Sequence, residues 1–486
     1  MIRPSGTEIQ ELAKEYNLIP VCKEIYADII TPITLLRKIS QISQKYYLFE
    51  SIEDGKWWGR YSFLGFDPIA HVTCKNGAVV ITDENEKVIY SKKPLEELRK
   101  VLSNYKAPKI EGMPPFTGGF VGYFSYEMIK YAEEKLKIKN NDFNDFDLML
   151  FDKVIVYDRI KQKISIIVNM KTDNVMENYG KAVADIERII RLIQEPLHVS
   201  KVIIKSRPKF ISNTSKEEFF KMVQKAKEHI LNGEIFQAVL SRRFEAEYKD
   251  SLLNAYRVLR TTNPSPYMVF IQNEDLQIIG SSPETLVKLQ DGKLSTFPIA
   301  GSRPRGKSLE EDKAMEKELL QDEKELAEHN MLVDLARNDI GKLSQFSRVR
   351  VTEYKKIKKY SRVMHIASQV EGVIQKNKDA LDAIEALIPA GTLSGAPKIR
   401  ACEIIGELED SPRGIYGGAI GYIDFSGNMD TCIAIRMAVK KGDKVYVQAG
   451  AGIVADSIPE KEYEETENKA IAVMDAIIRA NEVDEL

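Results

Sequence analysis

Cysteine is scarce in this chain, and none of it is spaced for a metal or a disulfide framework. The four cysteines, which lie far apart and form no C-x-x-C pair, are Cys22, Cys74, Cys402 and Cys432. Zinc ribbons and small disulfide-linked domains need closely spaced or numerous cysteines, so both classes are disfavoured. We therefore expect a protein of a reducing compartment, the cytoplasm.

Long apolar runs and an excess of charge are also missing. No run approaches the ~20 apolar residues of a membrane-spanning helix, and the first residues lead into a polar stretch rather than an apolar signal core. Lysine and arginine number 70 against 72 aspartates and glutamates, which gives a formal net charge of -2. We expect neither nucleic acid nor a membrane as partner, but a small molecule or another protein.

The length of 486 residues exceeds that of a usual single domain, so we expect two. The most linker-like stretch is 195–214, which is polar and punctuated by prolines. We place an N-terminal region at 1–205 and a catalytic domain at 206–486, because the first part lacks an evident catalytic constellation.

Turn signals between β-branched runs predict antiparallel hairpins. They lie at 76–77, 291–292, 426–427 and 441–442, and a fifth pairing joins 153–157 to 163–169. Helices are predicted after the capping box Ser215-x-x-Glu218 and over 309–336, 380–387 and 461–480. Strands and helices are grouped rather than alternating, which predicts an α+β fold with large antiparallel sheets packed with helices.

The segment 448–469 is the most informative stretch. It reads as a glycine loop (QAGAG, 448–452) followed by an acidic helix that carries Glu464, Glu465 and Lys469 one turn apart. Glycines let backbone N–H groups approach an anion, and carboxylates on a helix suit a hard cation. The segment indicates a small carboxylate with Mg²⁺, or alternatively a β-turn followed by a solvated amphipathic helix.

Two further loops are candidates for anion binding. The loop 389–398 (PAGTLSGAPK) can place Thr392 or Ser394 near an anion, or it is a tight interhelical turn. In 297–306, Arg303 and Arg305 can hold a carboxylate bidentately, or they are surface residues and ion-pair partners.

Two titratable side chains complete the candidates. Glu328 lies among other acids on a predicted helix, and together with Glu465 it would supply two carboxylates for Mg²⁺. His365, one of only five histidines, lies in a strand-like run. It fits either proton transfer or a packed, hydrogen-bonded role.

Taken together and in order, these motifs resemble the chorismate-binding enzyme family. The matching segments are 48–51 (LFES), 233–241 (GEIFQAVLS), 263–268 (NPSPYM), 281–284 (SSPE), 328–329 (EH), 363–365 (VMH), 413–418 (RGIYGG) and 448–452 (QAGAG). The resemblance covers most of the chain, from residue 48 to 469, and is greatest to the members that form anthranilate.

The resemblance implies a Mg²⁺-dependent reaction on chorismate. It implies Glu328 and Glu465 as metal ligands, Glu284 as the acid beside the leaving C4 hydroxyl, and His365 in the later loss of the C2 proton and pyruvate. The substrate contacts that it implies are Gly301, Ser302, Tyr416, Arg436, Gly450, Ala451, Gly452 and Lys469.

Two missing lysines indicate the nucleophile. Water-adding relatives carry a lysine base where this chain has Gln237, and aminodeoxychorismate-forming relatives carry a lysine where it has Ala300. We therefore expect ammonia to attack C2, giving 2-amino-2-deoxyisochorismate and then anthranilate and pyruvate, the first step of tryptophan biosynthesis. The alternatives are aminodeoxychorismate formation for folate and a non-catalytic tryptophan sensor.

Ammonia needs a source, and none of the four cysteines lies in a glycine-flanked nucleophile elbow. We expect a separate glutamine amidotransferase subunit and hence a hetero-oligomer. The resemblance also implies a feedback site for L-tryptophan, formed by Glu50, Ser51, Asn263, Pro266, Tyr267, Met268 and Cys432. Phe49 and Ser302 depart from the family pattern, which has leucine and threonine there.

Overall fold

The computed structural model describes residues 2–51, 59–197, 207–359 and 363–483. The strands are β1 Ile2–Arg3, β2 Leu18–Tyr26, β3 Lys45–Glu50, β4 Tyr61–Phe66, β5 Ala70–Lys75, β6 Ala78–Thr82, β7 Glu86–Tyr90, β8 Gly119–Phe124, β9 Phe146–Phe151, β10 Lys153–Asp158, β11 Lys163–Lys171, β12 Ile211–Ser212, β13 Gln237–Glu247, β14 Tyr267–Asn273, β15 Leu276–Ser282, β16 Thr285–Gln290, β17 Lys293–Thr296, β18 Ile299–Pro304, β19 Arg350–Lys359, β20 Val363–Val373, β21 Gly395–Ala396, β22 Ala419–Asp424, β23 Met429–Ile433, β24 Met437–Lys441 and β25 Lys444–Ile453. The α-helices are α1 Gly6–Leu12, α2 Pro32–Ile39, α3 Pro94–Ser103, α4 Ile129–Ala132, α5 Val175–Gln194, α6 Lys216–Leu231, α7 Leu253–Thr262, α8 Leu309–Leu319, α9 Glu323–Leu343, α10 Ala380–Leu387, α11 Lys398–Leu408 and α12 Pro459–Ile478.

The strands form two antiparallel sheets, which we call the first sheet and the second sheet. The first has 13 strands in the described part of the chain, in the order β1-β2-β11-β10-β4-β3-β14-β15-β24-β25-β13-β12, with β21 on β13. The second has 12 in the same part, in the order β18-β20-β17-β16-β23-β22-β8-β9-β5-β6-β7, with β19 on β20. The predicted α+β fold with large antiparallel sheets is confirmed.

Three apolar layers hold the sheets and helices together. A core of strand and loop residues lies between the sheets. On the other face of the first sheet, α1, α2, α5, α7 and α12 bury a second core, and α3, α9 and α10 bury a third on the second sheet. The described helices include none that is both long enough and apolar enough to cross a bilayer.

Both sheets combine strands from the two ends of the sequence. In the first sheet β3 pairs with β14, and in the second β8 pairs with β22. In each sheet the N-terminal strands form one contiguous block and the C-terminal strands the other, so the two parts of the chain share both sheets. The predicted boundary between 1–205 and 206–486 lies outside the described residues and stays a prediction.

The local turn and cap signals are confirmed. All five predicted pairings form, namely β5 with β6, β16 with β17, β22 with β23, β24 with β25, and β10 with β11. At two of the turns the first residue has positive φ, 50° at Asn76 and 54° at Asp291, as a tight hairpin turn requires. The Ser215 capping box opens α6, and α10 covers the predicted 380–387.

Two predictions are wrong. The helix expected over 309–336 is broken into α8 and α9, because the Asp322 carboxylate accepts hydrogen bonds from the Lys324 and Glu325 amides and starts a new helix. The glycine loop 448–452 is instead part of β25, paired along β13. Its glycines leave room for neighbouring side chains rather than making a turn. The last helix also begins two residues before the predicted 461, with Pro459 in its first turn.

A buried ion pair joins three separate segments of the C-terminal half. The Arg413 guanidinium donates to both oxygens of Glu409, at 2.9 and 2.7 Å, and to the carbonyls of Val239 and Leu393. Glu409 also accepts hydrogen bonds from the Ser241 amide and hydroxyl, at 2.7 and 2.9 Å. We call this group the Arg413 network. It connects the residue that follows α11 to β13 and to the loop after α10.

Replacing Glu409 with glutamine should destabilise the fold, because the Arg413 charge then stays buried without a counter-ion. We expect the free energy of unfolding to fall by about 3–5 kcal/mol, measured by urea denaturation. Glu407→Gln is the matched control on the same helix, since its side chain is 60% exposed and its neighbour Arg400 lies 4.0 Å away. Equal effects of the two substitutions would contradict a structural role for the network.

Candidate functional site

Glu284 lies between β15 and β16, facing the loop that follows α10. The Thr392 hydroxyl donates a hydrogen bond of 3.1 Å to its carboxylate. Burial raises the pKa of Glu284 to about 7, although the Thr392 hydrogen bond and the positive charge of Lys469 both act to lower it. At neutral pH this carboxyl is therefore present in both protonation states and can donate a proton. The other candidate hydroxyl of the loop, Ser394, donates to the Ala390 carbonyl.

The two glycines of β25 provide space for side chains from neighbouring elements. A methyl carbon added to Gly450 would lie 2.8 Å from the Tyr416 hydroxyl oxygen, and one added to Gly452 would lie 2.5 Å from Nε2 of Gln237. Both distances are shorter than van der Waals contact. Glycine at these positions lets Tyr416 and Gln237 approach the strand, and at Gly450 an added carbon would also lie 2.9 Å from the Leu240 carbonyl oxygen.

Helix α12 brings a cation to the same strand. Lys469 donates to the Gly450 carbonyl at 3.0 Å and pairs with Glu465, one turn earlier, at 2.6 Å. Its positive charge also acts on Glu284. The segment 448–469 therefore contributes one strand wall and one charged helix to a single site.

Glu328 on α9 and Glu465 on α12 form a pair of acids. Although Glu328 reaches the surface, burial of its carboxylate raises its pKa, and the negative charges of Glu325 and Glu465 raise it further. Two carboxylates that repel one another are the kind of site that a divalent cation stabilises. Within the described ranges no three acidic, histidine or cysteine side chains converge into a closed metal site. A cation here would keep water or substrate ligands, as Mg²⁺ does.

His365 lies on β20 and is oriented by β18. Its Nδ1 lies 2.8 Å from the Gly301 carbonyl oxygen and 3.0 Å from the Ser302 hydroxyl. Because a carbonyl only accepts, Nδ1 carries the proton, and the neutral ring then has its lone pair on Nε2. Burial and the positive charge of Arg436 lower the pKa of His365. The ring is thereby suited to accept a proton.

Tyr416 and Arg436 connect the parts of the site. Burial raises the pKa of the Tyr416 hydroxyl well above its usual value, so the hydroxyl stays protonated. Burial lowers the pKa of Arg436, which is partly offset by its neighbours Tyr416 and Glu465. Arg436 also adopts a left-handed backbone conformation, with φ of 53°. Such a conformation is uncommon outside glycine and is often found at functional sites.

Two neighbouring side chains have no role in the sequence-based prediction. His329 is fully buried, with Nε2 2.7 Å from the Ser368 hydroxyl of β20, and burial lowers its pKa to about 4. It therefore stays neutral and anchors α9 to the second sheet. Glu325 lies one turn before Glu328, and its carboxylate oxygen would be 3.1 Å from a methyl carbon added to Gly301. The sequence could have indicated Glu325, because a residue three positions before Glu328 lies on the same face of the helix.

Arg303 on β18 and Arg305 just after it bind carboxylates of the protein itself. Arg303 pairs with Asp322 at 2.7 Å and with Glu318 at 3.2 Å, and Arg305 pairs with Asp312 at 2.6 Å. Of the two interpretations of this pair, the structure supports ion-pair partners that hold α8 and α9 against the second sheet.

A cavity of about 880 Å³ lies between the two sheets, apart from the residues described above. We call it the inter-sheet cavity. Six of the seven residues predicted for L-tryptophan line it, together with Phe49: Glu50, Ser51, Pro266, Tyr267, Met268 and Cys432. The seventh, Asn263, donates to the Ser281 hydroxyl at 3.1 Å and is not among the lining residues.

Comparison with known proteins agrees with the fold and with the motifs. Residues 44–475 match the family model for chorismate binding enzymes. An anthranilate synthase component 1 from Acetivibrio thermocellus is 46% identical over 99% of this chain and 100% of its own length.

Two solved structures are similar to the chain. The crystal structure of anthranilate synthase component I from Streptococcus pneumoniae TIGR4 superposes with a TM-score of 0.78 at 38% identity, covering 92% of this chain and 98% of that one. The menaquinone-specific isochorismate synthase from Escherichia coli shares the fold at 17% identity, with a TM-score of 0.71 over 97% and 98% of the two chains. The chain therefore belongs to the chorismate-binding enzyme family.

Proposed function

We propose that this enzyme converts chorismate and ammonia into anthranilate and pyruvate, the first step of tryptophan biosynthesis. The observation that carries the proposal is the arrangement of a buried acid with a pKa of about 7, Glu284, in the field of Lys469. The relatives named anthranilate synthase component 1, at 41–46% identity, support the same reaction.

In the first step ammonia forms a bond to C2 of chorismate and the C4 hydroxyl leaves. Protonated Glu284 donates its proton to the departing hydroxyl, which leaves as water. Lys469 and Arg436 are the positive charges available for the substrate carboxylates. The product of this step is 2-amino-2-deoxyisochorismate.

Ammonia is favoured as the nucleophile by two side chains that cannot act as bases or form adducts. Gln237 is buried beside Gly452, and an amide cannot deprotonate water effectively. Ala300 is buried in β18 and offers no amine. Water addition and a covalent lysine adduct are both disfavoured.

The second step removes the C2 proton and pyruvate, and the ring becomes aromatic. His365 accepts the C2 proton through Nε2, since its Nδ1–H is held by the Gly301 carbonyl. The enolpyruvyl ether bond breaks at the ring carbon, its electrons leave on the oxygen of enolpyruvate, and this enolate takes up a proton at its methylene carbon to become pyruvate. Gly301 and Ser302 thus orient the base in addition to any contact with substrate.

Mg²⁺ fits the acidic pair as a cofactor. Glu328 and Glu465 would hold it, since burial and then the negative charges of Glu325 and Glu465 raise the pKa of Glu328, and a cation would offset those charges. When bound, Mg²⁺ would neutralise a substrate carboxylate and stabilise negative charge in the ring.

We further propose L-tryptophan as a feedback inhibitor bound in the inter-sheet cavity. Phe49 and Tyr267 in the lining offer aromatic surface for an indole ring, while the buried Glu50 carboxylate binds Arg159 and Arg260. The Tyr267 hydroxyl is 2.9 Å from the Thr285 hydroxyl, next to Glu284 in sequence. One hydrogen bond therefore connects the lining of the cavity to the residue that follows the proposed catalytic acid.

A separate glutamine amidotransferase subunit would deliver the ammonia, forming a hetero-oligomer. The relatives' description as component 1 supports a second component. All four cysteines are buried as free thiols, which agrees with the cytoplasm as the place of reaction.

The reaction itself is tested by incubating the purified chain with chorismate, Mg²⁺ and ammonium. We expect fluorescent anthranilate and an equal amount of pyruvate. Accumulation of a non-aromatic amino compound without anthranilate would instead identify aminodeoxychorismate formation.

Removing either acid of the pair should weaken Mg²⁺ activation. We expect Glu328→Gln and Glu465→Gln to raise the Mg²⁺ concentration for half-maximal activity by at least about tenfold, because each loses one charged ligand. Glu464→Gln, beside Glu465 on α12, is the control and should leave it unchanged. Unaltered Mg²⁺ dependence in Glu328→Gln would refute the metal assignment.

The pH profile should report the state of Glu284. As an acid with a pKa of about 7, it loses its proton as the pH rises, so kcat at constant free ammonia should fall above that value. Thr392→Val removes the hydrogen bond that favours the ionised form, and the falling limb should move up by roughly 0.5–1 pH unit. Thr392→Ser keeps the hydroxyl and serves as control. A limb that stays in place in Thr392→Val would exclude Glu284 as its source.

A further inference from the structure

Arg242 on β13 is fully buried, and the proposed mechanism does not use it. Its neighbour Ser241 donates to Glu409 in the Arg413 network. Because successive side chains of a strand point to opposite faces, Arg242 points the other way, toward rings on α6 and α12. A charged side chain therefore lies beneath two helices.

Two hydrogen bonds join Arg242 to one turn of α12. Its Nε donates to the Thr466 hydroxyl at 2.8 Å, and its Nη2 donates to the Tyr463 carbonyl at 3.0 Å. Both acceptors are neutral, whereas the buried guanidinium of Arg413 is bound by the Glu409 carboxylate. Hydrogen bonds are directional, so these two hold the turn at a defined angle to β13.

Aromatic rings surround the Arg242 charge. The guanidinium carbon lies 3.6 Å from the centroid of the Tyr463 ring, 5.0 Å from that of Phe244 and 5.6 Å from that of Phe219. A planar, weakly hydrated guanidinium stacks on such rings, whereas the ammonium group of a lysine is strongly hydrated. The surroundings therefore suit an arginine better than a lysine.

The turn of α12 that Arg242 holds also carries charged groups of the site. Glu465 lies between the two hydrogen-bonded residues of this turn, and Lys469 follows one turn later. Lys469 donates to the carbonyl of Gly450, on the strand that pairs with β13. Helix α12 is therefore fixed to this pair of strands at two points, and both lie within about one turn of Glu465.

We propose that Arg242 is a positioning residue that sets the rotation of α12 about its axis, and with it the direction in which Glu465 faces Glu328. Apolar packing holds the helix against the sheet, but it is not directional. A buried charge costs free energy that apolar packing would avoid. The two directional hydrogen bonds to α12 are what this charge adds. The consequence for the metal rests on the proposed role of Glu465 as a ligand of Mg²⁺.

The first test replaces Arg242 with methionine, which keeps an apolar stem and removes the charge and both hydrogen bonds. Replacing buried charged groups by apolar side chains is often neutral for stability, so the variant should fold. The Mg²⁺ requirement, by which we mean the Mg²⁺ concentration for half-maximal activity, should rise at least about threefold, because Glu465 no longer faces Glu328.

The sign of that change separates position from charge. Removing a positive charge from the neighbourhood of an acidic pair strengthens cation binding, and by itself lowers the Mg²⁺ requirement. Lys461→Met is the matched control, since Lys461 is an exposed cation in the first turn of α12. We expect an unchanged or lower Mg²⁺ requirement in this control. The same result in Arg242→Met would overturn the proposal.

A second pair of variants tests one hydrogen bond alone. Thr466→Val keeps the shape of the side chain and removes the acceptor for Nε of Arg242, so the Mg²⁺ requirement should again rise. Thr466→Ser keeps the hydroxyl and should retain the wild-type value. Equal Mg²⁺ requirements in the two Thr466 variants would contradict the proposed role of this hydrogen bond.

Hydrogen exchange tests the anchor independently of the metal. Measured by mass spectrometry without Mg²⁺, the amides of α12 should exchange faster in Arg242→Met than in the wild type and in Lys461→Met. Wild-type activity that does not depend on Mg²⁺ would overturn the proposed metal site and leave the exchange result intact. Equal exchange in all three proteins would overturn the positioning role itself.

Discussion

The buried charge of Arg413 is the constraint on which the catalytic half of the molecule depends. A buried guanidinium needs acceptors for its donors, and Glu409, Val239 and Leu393 together accept four hydrogen bonds from Arg413. Val239 pairs with Gly452, Ser241 pairs with Gly450, and Leu393 follows Thr392. The Arg413 charge therefore holds together three parts of the site. They are β25 with its glycines, the loop with Thr392, and the segment with Tyr416.

In the site that the Arg413 network supports, the pKa of each titratable group is set by its environment more than by its residue type. Glu284 is a carboxyl whose pKa burial raises to about 7, whereas burial and a nearby arginine lower the pKa of His365. A fraction of Glu284 thus keeps its proton at neutral pH and can donate it, whereas His365 is neutral and can accept one. Glu328 and Glu465 remain close enough to repel one another, which suits them to a cation instead of proton transfer.

The sequence predicts what depends on local chemistry. Hairpins at Asn76 and Asp291 follow from turn residues, and α6 begins at its capping box. The glycines of β25 were misassigned because the reason for them, close approach of Tyr416 and Gln237, comes from other parts of the chain. The shared contact of Arg159 and Arg260 with Glu50 was missed for the same reason, since these residues meet only after distant strands have paired. Aspartate often caps helices, so the sequence could have predicted the break at Asp322. It was missed because the charged residues on both sides fit one continuous helix.

The pairing of β3 with β14 and of β8 with β22 has a consequence for how the chain is made. More than two hundred residues separate the partners in the first pair and nearly three hundred in the second. During synthesis the N-terminal strands can pair with one another, but the outer edges of β3 and β8 stay open until β14 and β22 emerge. Until then those two open edges need protection from aggregation.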